Sequence, residues 1–212
     1  MGATLRRDAG GECRCYGRLV HLYAALLRGI APSGPNMTND KLRGVFEGLG
    51  YEHVGSVLAS GNIIFGSAES DVPALEQRIE QALTSELGLT SRTIIRSQDE
   101  LRRLVASDPF PGLTHGPDTY LTATFLKHPH PDAALPDSPD PTTTIVRYDR
   151  PARAVLAVTD NTVPGRTPTF MAWLEKTCGK AITTRSWLTV QRVVRRLDET
   201  SQGTGAFRTR ER

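Results

Sequence analysis

Arg28 closes an apolar run, and Ser60-Gly61-Asn62 separates two others. Together they offer a guanidinium, a hydroxyl and a side-chain amide, groups that hold a small carboxylate or phosphate by charge-assisted hydrogen bonds. Asn36, at the end of the loop Pro32-Ser33-Gly34-Pro35-Asn36, adds a second amide. Thr184 and Arg185 stand just before Ser186, where a helix N-terminus beside a guanidinium would attract an anion. Arg28, Asn36, Ser60, Asn62, Thr184 and Arg185 are therefore the candidate ligand-binding residues, and the ligand class they suit is a small anion. The same residue types also pin loops: Arg and Asn bond backbone groups, Ser186 can serve as a helix cap, and Trp187 as a core anchor. The sequence leaves both uses open.

No catalytic constellation stands out. The histidines are scattered over His21, His53, His115 and the His128-Pro129-His130 segment, and no Ser-His-Asp or Cys-His order follows from them. His128 and His130 lack a third ligand at metal spacing, and Cys13-Arg14-Cys15 has no His or Cys nearby to complete a tetrahedral site. Cys178 reads as a small apolar filler. Glycine patterns that cradle nucleotides are absent. No cofactor and no metal are assigned, and whether the protein is an enzyme stays open.

The 212 residues carry a net charge of +3 and a pI of about 8.9. That positive charge sits in the ends. Residues 1–18 hold four Arg against two acids and residues 192–212 hold six Arg against three, which leaves the body slightly acidic. Phosphate backbones are bound by a basic face on a folded body, so nucleic-acid binding by the core is disfavoured. Only Tyr23 and Phe65 fall where RNA-recognition sheets place stacking aromatics. The longest apolar run, Leu22 to Leu27, is far too short to span a membrane, and the leader after Arg6-Arg7 is polar where a signal peptide is apolar. The expectation is a cytoplasmic protein without a membrane partner.

These residues need elements to hold them. Leu19 to Leu27 is almost continuously apolar, which predicts a strand covered on both faces. Thr38 caps a helix with Leu42, Val45, Phe46 and Leu49 at helical spacing and Gly50 at its end. Two strands around Ser60-Gly61 form a hairpin, Asp71 and Pro73 open a second helix closed by Gly88, and Arg92 to Ile95 is the next strand. The order is β-α-β-β-α-β, the ferredoxin-like unit. Ser97-Gln98-Asp99-Glu100 is a capping box for a linking helix that ends near Asp108-Pro109.

Strands at 120–126, 143–148 and 153–158, a helix from Thr167-Pro168 to Gly179, a short strand at 181–183 and a helix after Ser186 repeat that order. The Pro-rich segment from Pro129 to Pro141 stands where the first helix of the repeat should be, so that helix is eroded. The expectation is an α+β protein of two consecutive ferredoxin-like halves, residues 19–96 and 119–198. A linking helix and loop at 97–118 would join them, with a disordered leader at 1–18 and a flexible tail at 199–212.

Three segments, Ala25-Leu26-Leu27-Arg28-Gly29-Ile30, Ala59-Ser60-Gly61-Asn62-Ile63-Ile64-Phe65 and Ile182-Thr183-Thr184-Arg185-Ser186-Trp187, occur in an order and spacing that resembles a bacterial domain-of-unknown-function family, the one numbered 1697. The resemblance spans roughly residues 19–197. It implies two ferredoxin-like halves and no established activity. Ala31 to Gly34 depart from the Asn-Val-Gly-Gly usual after Ile30, Ala59 replaces a Gln, and Ser186 replaces an Asn, so a polar site shared by the family would have lost amide groups here.

Overall fold

The computed structural model describes residues 19–31, 33–59, 61–132, 135–162 and 168–208. The leader at 1–18, Ser60 and Thr167 lie outside them. The first sheet is built from β1 (His21–Leu27), β2 (Glu52–Ser56), β3 (Asn62–Ser67) and β4 (Thr93–Ser97), with α1 (Asn39–Gly48) and α2 (Val72–Leu87) between strands. After α3 (Gln98–Ala106) the second sheet contains β5 (Thr119–Leu126), β6 (Thr143–Asp149), β7 (Ala154–Asp160) and β8 (Ile182–Ser186), with α4 (Pro168–Cys178) before β8 and α5 (Trp187–Arg208) after it. The strand orders are β2-β3-β1-β4 and β6-β7-β5-β8, and every pairing is antiparallel. An α+β protein of two four-stranded antiparallel sheets and five helices results, consistent with two ferredoxin-like halves. No helix occurs among the described residues between β5 and β6.

Local signals set the helix boundaries. Thr38 accepts from the Lys41 N–H, Asp71 from the Ala74 N–H, and Ser97 with Glu100 forms the capping box of α3. Gly88 closes α2 in the left-handed region at φ 68°. Toward the other end of the chain, α5 is helical through Arg208, past residue 198 where the second half is expected to end. The buried period ends at Leu197, but the Arg196–Glu199 pair and a Thr200 hydroxyl donating to the Arg196 carbonyl continue the helix beyond it.

Alternation along β1 sends its residues to two cores. Tyr23, Ala25 and Leu27 face α1 and α2, joining Phe46, Phe65 and Ile79. Ala24 and Leu26 face the second sheet, joining Leu101 of α3, Phe125 and Leu156 of that sheet, and Trp187, Val190 and Leu197 of α5. The continuous apolar run of β1 is the consequence of this double coverage. A third cluster, with Leu126, Phe170 and Leu174, lies between the second sheet and α4. Helix α5 touches β1 and β3 of one sheet and β5 and β8 of the other, so the central core belongs to both halves. No described helix is long and apolar enough to cross a membrane.

Candidate functional site: a seam of arginines between the halves

Antiparallel pairing of Leu26 with Asn62 puts the end of β1 beside the start of β3. Gly61 makes the approach possible. Its φ is +68°, and a Cβ there would lie 2.8 Å from Ile30 Cγ1 and 3.1 Å from Leu27 Cβ. The Gly61 carbonyl thus accepts from the Leu27 N–H at 2.8 Å, and Asn62, fully buried, donates its Nδ2 to the Val57 carbonyl at 3.0 Å. Arg28 and Asn62 occupy the same sheet edge.

The residue that completes this edge comes from the other half. Arg185 at the end of β8 donates Nε to Asn62 Oδ1 at 2.5 Å and Nη2 to the Leu27 carbonyl at 2.7 Å. Its Nη1 donates to Thr183 Oγ1 and to the Thr184 carbonyl. Arg28 reaches the opposite way, donating Nη1 to the Lys180 and Ile182 carbonyls and Nη2 to the Glu175 carboxylate of α4. The remaining candidates lie elsewhere. Thr184, one residue out of phase with Arg185, has its hydroxyl against Thr124 and Met171. Asn36, at φ 66°, donates to the Leu87 carbonyl at the end of α2 and accepts from Lys41. Ser60 is outside the described residues.

A second seam repeats the first with the halves exchanged. Arg96, at the end of β4, is fully buried and donates Nε to the Ala152 carbonyl, Nη1 to the Ile95 carbonyl and Nη2 to the Leu126 carbonyl. Lys127 follows β5 as Arg28 follows β1, and its ammonium lies 2.6 Å from Glu80 and 3.6 Å from Glu76 of α2. Those carboxylates also accept the outward N–H groups of Thr93 and Ile95, which caps the free edge of β4. Sequence reading missed Arg96, Lys127, Glu76, Glu80 and Glu175. The available signal was the repetition of Arg-Ser before a helix at 96–97 and 185–186, and of Leu followed by a cation at 27–28 and 126–127.

The two seams differ in charge. Glu76 and Glu100 oppose the burial that lowers the Arg96 pKa to about 10, and Arg153 pairs with Glu100 at 3.6 Å. Arg185 is lowered to about 10 by burial alone, and no described carboxylate pairs with it. The first seam therefore holds two guanidiniums against the single carboxylate of Glu175. Burial also pushes the Cys178 thiol up to about 11, which keeps it protonated and a poor nucleophile. Among the described residues no three His, Cys, Asp or Glu side chains gather as metal ligands.

Comparison with known proteins agrees with the three sequence segments. The family described as protein of unknown function (DUF1697) matches residues 20–153, well over half of the chain. The chain belongs to DUF1697. Its match takes in the first sheet, the link and the first two strands of the second sheet, and it leaves out β7, Glu175 and Arg185. A solved structure of a conserved bacterial protein from Streptococcus pneumoniae resembles the chain with a TM-score of 0.63 and 18% identity, covering 85% of this chain and 99% of that one. At that identity the likeness concerns the fold. No curated protein matches the sequence significantly. For this DUF1697 member neither comparison indicates a specific activity.

Proposed function

We propose that this DUF1697 protein is a cytoplasmic binding protein for a small anion, a carboxylate or phosphate, held at the first seam by Arg28, with the charge of Arg185 and the Asn62 amide behind it. In this reading residues 19–96 and 119–198 are the two ferredoxin-like halves, the second without its first helix, and 97–118 is the link that lets each half complete the other's edge. The observation that carries the proposal is the charge inequality of two otherwise corresponding seams, since a buried guanidinium without a carboxylate raises the local potential for an incoming anion. Arg28 is the exchangeable group: its pair with Glu175 is about one-third exposed on both sides, so screening makes it inexpensive to trade.

Glu175 also supports a second reading, an enzyme in which this carboxylate transfers a proton beside Arg28. The two separate cleanly. Thermal stabilisation is measured with inorganic phosphate and a panel of small carboxylates, because a ligand that prefers the native state raises its stability. If the protein binds an anion here, Arg28→Ala loses the stabilisation and Glu175→Gln strengthens it, its internal competitor being gone. Stabilisation that is indifferent to Arg28→Ala overturns the proposal, and loss of turnover in Glu175→Gln on a ligand so found would establish the enzyme.

A further inference from the structure

At the far end of β3 from the seam, about 16 Å away at the ordinary rise per residue, a cavity of ≈ 290 Å³ opens between the end of α1, the start of β2, the end of β3 and the middle of α2. Tyr51, Glu52, Glu69 and Arg78 supply its functional groups. The Tyr51 hydroxyl is buried without a hydrogen-bond partner. Burial raises its pKa, the charge of Arg78, whose side chain lies within reach of the hydroxyl, opposes that rise, and Glu69 adds to it. Arg78 pairs with no carboxylate among the described residues. Glu69 is held in place: its Oε1 accepts from the Asp71 N–H and its carbonyl from the Tyr23 hydroxyl, which leaves Oε2 for another donor.

A guanidinium, a phenol and two carboxylates lining one cavity complement a molecule that carries both charges. We propose that this cavity binds a small zwitterion of the α-amino-acid class, its carboxylate on Arg78 and the Tyr51 hydroxyl and its ammonium on Glu69 and Glu52. An unpartnered buried hydroxyl is costly, and a ligand oxygen would satisfy it. The cavity volume suits a molecule of amino-acid size. Two carboxylates against one guanidinium favour a ligand with an additional amine, so L-lysine is the probe of choice.

Calorimetric titration and thermal shift with L-lysine test this, beside sodium acetate and n-butylammonium chloride at equal ionic strength. L-Lysine is expected to bind and stabilise where neither single-charge compound does, and Arg78→Gln and Tyr51→Phe should each weaken it about tenfold or more. Arg78 is exposed and pairs with no carboxylate among the described residues, so its variant keeps the fold. Arg28→Ala, at the other end of β3, should leave L-lysine binding unchanged, which separates this site from the seam. Absence of binding, equal stabilisation by acetate alone, or full affinity retained in Arg78→Gln overturns the proposal.

Discussion

Arg96 and Arg185 hold corresponding places, each next to last in the final strand of its sheet, and each guanidinium crosses to the carbonyls of the other half, Leu126 and Ala152 for Arg96, Leu27 and Gly61 for Arg185. Replacing either by Met removes the donors while leaving buried carbonyls behind. A loss of about 2–5 kcal/mol in urea unfolding is expected for each. Lys should not rescue, because one ammonium cannot serve carbonyls arranged around a planar fork. A loss below about 1 kcal/mol would show that water takes over these acceptors.

The shared core and the two crossings make the halves interdependent. Calorimetry of the full chain should give one transition whose van't Hoff and calorimetric enthalpies agree. Two resolved transitions would mean that the central cluster around Leu26, Phe125 and Trp187 is not cooperative.

Glu76 makes the second seam sensitive to pH. Burial raises it above its ordinary 4.5, outweighing the Ile95 N–H bond and the charges of Lys127, Arg96 and Arg153. A carboxyl whose folded value exceeds the unfolded one contributes stability that is full below the unfolded value and is lost as pH rises through the folded value. Wild type should therefore lose stability relative to Glu76→Gln as pH climbs from about 4 to about 7. Denaturant midpoints at both ends of that range measure it, and a difference that grows in favour of wild type would reverse the assignment.

Arg28 and Glu175 are a milder case. Because the pair is partly exposed, Glu175→Gln should change stability by less than about 1 kcal/mol. Raising the salt concentration should erase what change there is. A larger, salt-insensitive loss would make the contact a structural pin and remove the exchangeable group that anion binding needs.

Elements were legible because their signals are local. Thr38, Asp71 and Ser97 announce helix starts within three residues of the groups they bond, Gly88 and Gly179 stop helices through a φ that other residues resist, and the unbroken apolar run of β1 encodes a strand with two covered faces. Strand order even brought Arg28 and Asn62 to one edge. Alternation could say that Arg185 and Thr184 point to opposite faces, but not what either face would meet. That depended on how the two sheets close around α3 and α5, a contact between residues more than a hundred positions apart, such as Asn62 with Arg185. Only the tertiary structure decided that Arg185 serves the first half and Arg96 the second. Only there does the unequal charge of the two seams appear, because a guanidinium's partners are chosen by geometry in space and a single sequence records just its own neighbours.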